Sequence, residues 1–245
     1  MYHFLKKIVS AIVSKKILLE YETKLRSLIY PFYKGTHHYC NICEKGLSKF
    51  LSVHENSDLL CPNCGSLSRT RRLYELIGNL HLPNPAKVLD FSPSRGFYRK
   101  LKANPEIEYI TTDLSGDFIA DQSYDITNIN CPSDTFDLII CYHILEHVTD
   151  DFTAMSELYR VLKSNGILFI QTPFKCREIN EDFSITTPQD RLKHFGQEDH
   201  VRIYSVASLK ERLEKTGFKV EIYSEWQPND YLGLSPNETV FVVRK

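Results

Sequence analysis

Two pairs of cysteines in this chain carry the spacing of metal ligands. Cys40-x2-Cys43 and Cys61-x2-Cys64 are separated by 17 residues, which falls in the pattern of two zinc knuckles about 15–20 residues apart. Each pair puts two thiolates on one tight turn, and two facing turns complete a tetrahedral sulfur cage. Asn63 and Gly65, on either side of Cys64, suit such a turn. Four thiolates leave no open coordination position, so the expected ion is a structural Zn2+ supplying roughly 10–16 kcal/mol toward folding. A redox dithiol or a set of disulfides is the competing chemistry. Cys131, Cys141 and Cys176 are scattered and read as buried small residues.

A second group of residues suits a nucleoside ligand. Asp90-Phe91-Ser92-Pro93-Ser94-Arg95-Gly96 lies on the pattern D-x-G-x-G-x-G with the acid and the last glycine kept and two glycines replaced by serine. Such a loop lets backbone approach a ligand and aims a helix N-terminus at an anion. Asp113, 23 residues after Asp90, could take both hydroxyls of a ribose; a loop residue or helix cap is the alternative. At Asp125 a carboxylate could accept from an adenine amino group while Ile126 packs on the ring. The histidines are candidates for proton transfer. His143 follows the apolar stretch Phe136–Tyr142 directly, where an acceptor would meet a reacting group. His194, Asp199 and His200 lie in a later polar segment, and His147 reads as a capping or core residue.

The elements that must position these residues alternate strand and helix from Ala86 onward, the signature of a parallel sheet with crossover helices. Strands are expected at Ala86–Phe91, Ile107–Asp113, a short third one ending near Asp125, Phe136–Tyr142 and Gly166–Gln171. The fourth is almost wholly apolar, as a central strand buried on both faces should be. Lys219–Tyr223 and Glu238–Val243 read as a closing antiparallel pair. Helices are expected at about 68–80, 95–103, 151–163 and 205–215. The 151–163 helix turns Phe152, Met155, Leu158, Tyr159 and Leu162 to one face, and Asn165-Gly166 ends it in a left-handed turn. Residues 174–201 are polar and irregular and read as an acceptor-binding lid.

Three segments follow: a basic amphipathic arm over 1–36, a four-cysteine module with its linking helix over 37–80, and the α/β domain over 81–245. Residues 1–80 hold 12 Lys/Arg against 6 Asp/Glu, and residues 81–245 hold 18 against 25. The basic front suits a phosphate-bearing partner, with Arg69, Arg71 and Arg72 beside the second knuckle. In the arm, Leu5, Ile8, Ile12, Leu19, Leu25, Leu28 and Phe32 recur at helical intervals. That face either packs on the protein or makes peripheral membrane contact. Its longest apolar run, Ile8–Ser14, is too short to span a bilayer. Seven cysteines without a secretion signal point to a reducing, cytoplasmic setting.

Asp125-Ile-Thr, Phe136-Asp-Leu-Ile, His143-Ile-Leu-Glu-His-Val, Glu157-Leu-Tyr-Arg-Val-Leu-Lys163 and Gly166, in that order, resemble the methyltransferase type 11 family over about residues 86–245. The cysteine pairs and Phe195-Gly-Gln-Glu-Asp-His-Val201 are similar to one bacterial subgroup. The resemblance implies a Rossmann-like class I methyltransferase fold: an α/β, seven-stranded, mostly parallel sheet with a C-terminal antiparallel hairpin, preceded here by a zinc-ribbon-like module. It also implies S-adenosylmethionine as cofactor, with contacts near Asp90, Ser92, Gly96, Asp113, Asp125, Ile126 and His143. His143, His194 and His200 are the candidate catalytic residues. The serine-substituted loop departs from the family pattern. A small-molecule or glycan-type acceptor is the leading expectation. RNA methylation using the zinc module, and a non-catalytic binding protein with a decayed pocket, are the alternatives.

Overall fold

The computed structural model describes residues 15–53, 58–175 and 177–245, with side chains from residue 21 onward. The predicted arm up to residue 14, and Cys176, lie outside the described residues. The described chain divides into two compact units. The first contains residues up to Leu80 together with 94–100 and 227–236, and the second holds 81–93, 101–226 and 237–245. The expected boundary at 80/81 is therefore one of several crossings, because two later segments return to the cysteine unit.

In the first unit, helix α1 (Lys15–Ile29) runs into a 3-10 turn (Tyr30–Tyr33). Strands β1 (Lys34–Cys40) and β2 (Lys45–Leu47) pair antiparallel, as do β3 (Leu51–Val53) and β4 (Asp58–Leu60). Helix α2 (Ser68–Gly78) follows the second cysteine pair. The apolar side chains Leu25, Leu28 and Phe32 are exposed.

The second unit is built on a six-stranded sheet. Its strands are β5 (Ala86–Phe91), β6 (Ile107–Thr112), β7 (Phe136–Tyr142), β8 (Leu162–Gln171), β11 (Lys219–Tyr223) and β12 (Val240–Arg244). Their order is β11-β12-β8-β7-β5-β6. Pairs β5–β6, β5–β7 and β7–β8 are parallel, and β12 is antiparallel to both β8 and β11. The expected third strand does not form as a ladder. In its place a single parallel bridge joins Thr112 to Gln122, because the side chain of Thr112 takes the Tyr124 N–H at 2.6 Å and diverts the chain from the sheet. The seventh position is thus one bridge long.

Strand β7 is apolar because the core closes on it: Phe136, Ile139 and Cys141 are fully buried with Leu89, Leu158, Leu168 and Phe241. Helix α3 (Arg95–Lys102) follows β5. Helix α4 (Asp151–Val161) is capped by Asp150, whose carboxylate accepts the Thr153 N–H at 3.0 Å. It buries Ala154, Met155, Leu158 and Val161, whereas Phe152 is turned outward beneath the Arg212 guanidinium. The helix ends at Val161 rather than near residue 163, and Leu162 is already extended, so Asn165-Gly166 is no helix cap. Gly166 lies inside β8 instead, where a Cβ would meet Leu162 Cδ1 at 2.6 Å.

The segment predicted as an irregular lid contains a short strand, β9 (Asn180–Glu181), paired with β10 (Arg202–Ile203), and helix α5 (Pro188–Phe195). Arg202 anchors it from a fully buried position, binding Glu181 at 2.9 Å and the carbonyls of Val148 and Thr149. Helix α6 (Val206–Lys215) starts with a Ser205/Ser208 capping box and contributes Arg212 to the same network. Among the described residues no helix is long and apolar enough to cross a membrane.

Candidate functional site

The four cysteines converge as their spacing requires. The Cys40 and Cys64 sulfurs lie 3.6 Å apart, those of Cys43 and Cys61 3.8 Å, and all four fall within 4.8 Å of one another. Sulfurs placed tetrahedrally at about 2.3 Å from a zinc ion are about 3.8 Å apart, so the cage has the right size. The two knuckles share one backbone design. Glu44 N–H binds the Cys40 carbonyl and Gly65 N–H the Cys61 carbonyl, and both residues are left-handed at φ 56° and 75°. Ser66 adds a hydroxyl 3.3 Å from the Cys40 sulfur and 3.2 Å from that of Cys64. Hydrogen bonding from Cys43 draws the Cys40 thiol down in pKa, while the bond to Cys40 pushes Cys64 up. Four sulfurs this close do not all ionise without a cation between them.

Arg71 ties this unit together. Its fully buried guanidinium donates to the carbonyls of Leu59, Ser66, Leu232 and Gly233 at 2.7–2.9 Å and stacks 4.1 Å from the Phe50 ring centroid. Arg72 is also buried and donates to the Ser235 carbonyl, and Arg69 pairs with Asp58. Two of the three arginines that motivate an RNA-binding reading, Arg71 and Arg72, thus serve the interior of their own unit, and Arg69 is half-buried in an ion pair. Gly96, expected at the cofactor, groups with this unit as well, where a Cβ would stand 3.0 Å from the Cys64 carbonyl.

In the second unit the carboxyl ends of β5, β6 and β7 present Ser92, Asp113 and His143. Ser92 takes a left-handed conformation that favours glycine, φ 51°, and its hydroxyl donates to Asp113 at 2.7 Å. The same carboxylate accepts from Ser115 and from the backbone N–H groups of Asp117 and Phe118 at 3.0–3.3 Å. Burial opposes ionisation of Asp113, but the bonds from Ser92, Phe118 and Ser115 outweigh it and hold the carboxyl below its ordinary value. Asp90 behaves oppositely. Burial pushes it up to about 8, only partly offset by the Tyr109 hydroxyl at 2.6 Å, so it is an interior acid under the loop. Asp125 is exposed and closes an Asx turn on Thr127, while Ile126 is buried in the main core.

The turn after β7 gathers the remaining chemistry. His143 is left-handed at φ 58°, a costly conformation for a β-carbon residue. Its Nδ1 lies 3.2 Å from Glu146 Oε1, and its Nε2 is buried without a hydrogen-bond partner. In the neutral tautomer that donates Nδ1–H to this carboxylate, Nε2 is left as an acceptor. Glu146 is 1% exposed, and its Oε2 also lacks a partner. His147, expected to be a cap or core residue, belongs instead to a 3-10 turn (Leu145–His147) and faces Asp199 at 3.1 Å. His200 is brought in by the Val201 N–H bond to the Glu146 carbonyl. Burial first, then the neighbouring His147, lower the His200 pKa. His194 is exposed on the last turn of α5 and does not join this group. Sequence reasoning passes over Glu146 and sets His147 aside as a cap or core residue, although the spacing His143-x2-Glu146-His147 places them on one turn.

A family model described as "methyltransferase domain" matches residues 67–222. A probable S-adenosylmethionine-dependent methyltransferase of Mycolicibacterium smegmatis is 30% identical over 96 residues, covering 39% of this chain and 34% of that protein. A sterol 24-C-methyltransferase of Eremothecium gossypii is 26% identical over 137 residues, covering 55% of this chain and 32% of its own length. The chain therefore spans about a third of each of these relatives. Crystal structures of S-adenosylmethionine-dependent methyltransferases from Archaeoglobus fulgidus and Mesorhizobium loti superpose with a TM-score of 0.51 each. They have 19% and 16% identity, over 72% and 70% of this chain and 93% and 96% of theirs. Strand order, the reversed last strand and the family match agree: the chain belongs to the class I S-adenosylmethionine-dependent methyltransferase family.

Proposed function

We propose that the chain transfers a methyl group from S-adenosylmethionine to a small-molecule or glycan-type acceptor, and that the four cysteines hold a structural Zn2+. The observation that carries the first part is the row of Ser92, Asp113 and His143 at the ends of three adjacent parallel strands, two of them in strained left-handed backbone. Ligands of open α/β sheets bind at this edge.

The residues fit the cofactor. Asp113 is held ionised, as an acceptor for ribose hydroxyls must be, and a ribose would replace the bonds it now takes from Ser115. Thr172 and Gln171, at the end of β8, each keep a buried oxygen without a partner. When bound, the sulfonium supplies a methyl group already activated for displacement. The protein must then orient the acceptor and remove its proton. His143 is placed for the latter, since Glu146 fixes its Nδ1–H and leaves Nε2 as a base. A glycan or small-molecule acceptor is favoured over RNA because Arg71 and Arg72 are buried against their own backbone.

A labelled-methyl assay against fractionated cell extract tests the reading, with counts expected in the small-molecule fraction. Counts in RNA would replace the acceptor class. Calorimetry of the zinc-loaded protein with S-adenosylmethionine separates an enzyme from a non-catalytic protein; absence of binding heat would sink the proposal.

A further inference from the structure

We infer that Glu146, His147 and His200 form a second metal site, for a divalent transition cation with open coordination positions. One ligand atom from each of the three residues lies within 4.8 Å of the others. Cations of this class bind imidazole nitrogen and carboxylate oxygen at about 2.0–2.2 Å, which puts tetrahedral donors about 3.4 Å apart. Small side-chain rotations close the difference.

Three observations point to a cation rather than to an ordinary polar cluster. The first is that the buried atoms are left open. Glu146 Oε2 and His200 Nε2 have no hydrogen-bond partner, and the residues are 1% and 3% exposed. A buried acceptor without a partner has lost its hydrogen bonds to water and gained none in return, and here a carboxylate oxygen and an imidazole nitrogen share that condition.

The second is orientation. Histidines that bind metals donate their other ring N–H to a carboxylate or a backbone carbonyl, which fixes the tautomer. Both histidines have such a partner: Nδ1 of His200 lies 3.3 Å from the Phe195 carbonyl, and Nδ1 of His147 lies 3.1 Å from Asp199. Each ring therefore keeps Nε2 for a ligand. The Glu146 carboxylate is oriented in the same way, its Oε1 held by His143.

The third is the donor set. Two imidazoles and one carboxylate, without sulfur, suit Zn2+, Fe2+ or Mn2+ and leave positions free for water or a substrate oxygen. The cysteine cage, by contrast, is closed. An ion here would also join the turn after β7 to the end of the 174–201 segment, since His200 comes from the latter.

Titration with Mn2+ of protein carrying one equivalent of Zn2+ per chain, followed by loss of the free-ion electron paramagnetic resonance signal, tests the site, because the thiolate cage takes that single zinc and leaves the second site open. One Mn2+ per chain is expected, with at least tenfold weaker binding in Glu146→Gln and in His200→Ala. Circular dichroism of each variant confirms that it is folded. Glu146→Gln keeps size and hydrogen bonding and so guards against a folding failure in the alanine variant. In parallel, metal analysis after dialysis against Zn2+ should give two ions per wild-type chain and one per Glu146→Gln chain. No bound Mn2+ together with a single zinc in the wild type would overturn the inference. So would Mn2+ binding unchanged in both variants.

Discussion

The cysteine cluster and the turn after β7 are both collections of metal-capable side chains, yet they treat their polar atoms in opposite ways. Around the cage, sulfur meets sulfur and serine hydroxyl, and the buried Arg71 donates to four backbone carbonyls, while Asn41 Oδ1 inside the first knuckle is left open. Around the turn, His143 Nε2, Glu146 Oε2 and His200 Nε2 are buried and open. Saturated polar groups hold a structure together, and open ones await a ligand. The difference teaches that stability should be concentrated at the first cluster and binding at the second.

The largest effect should come from opening the cage. Cys61→Ser is expected to lose the zinc and with it most of the roughly 10–16 kcal/mol that such an ion contributes, read as zero metal per chain at the cage and loss of cooperative melting of the first unit. Retained zinc would refute the four-thiolate assignment. Arg71→Met comes next. It leaves four buried carbonyls without donors and should cost about 3–5 kcal/mol in denaturant unfolding; a loss under about 1 kcal/mol would show that water replaces the guanidinium and that the unit is not saturated.

Asp90 supplies a pH-dependent test on the sheet itself. Its folded value is pushed up to about 8 from the ordinary 3.8. Between those values the folded chain carries the proton that the unfolded chain has released. The contribution of Asp90 to stability is therefore largest below about 3.8 and falls as pH rises toward 8, by up to about 1.4 kcal/mol per unit. Asp90→Asn should flatten that decline in melting curves of the ligand-free protein, and an unchanged slope would mean that the carboxyl is ionised.

On the open side, Asp113→Ala should weaken S-adenosylmethionine binding at least tenfold, about 1.4 kcal/mol, as measured by calorimetry. Unchanged affinity would move the cofactor away from the end of β6. The smallest effect is expected at Ser92. Glycine there relieves the left-handed strain but loses the bond to Asp113, so Ser92→Gly should stay within about 1 kcal/mol of the parent. Ser92→Ala keeps the strain and loses the bond, and should be the less stable of the two.

The same contrast explains what could be read in the sequence. The cage was legible because each cysteine pair is local: two ligands on one turn advertise themselves through spacing. Strands β5, β7 and β11 were legible for a similar reason, since their apolar patterns depend only on neighbours in the chain. The third strand was not, because a side-chain bond from Thr112 replaced the ladder. Nor was the end of α4, where the chain passes straight from helix into β8 and Gly166 makes room for Leu162. His147 was misjudged because its partners, Asp199 and His200, lie more than fifty positions along the chain. Ser92 shows a subtler limit. Its type departs from the glycine pattern, yet its backbone is left-handed, as a glycine there could be, and its hydroxyl has a partner in Asp113.

The discontinuity of the first unit has a consequence for biosynthesis. Residues 227–236 belong to it, and the carbonyls of Leu232 and Gly233 complete the shell of Arg71. A ribosome-bound chain that has emerged only as far as helix α2 holds a guanidinium still lacking half of its carbonyl acceptors. The amino-terminal unit therefore matures among the last events of synthesis, and an excised fragment ending at residue 80 would lack the strap that closes it.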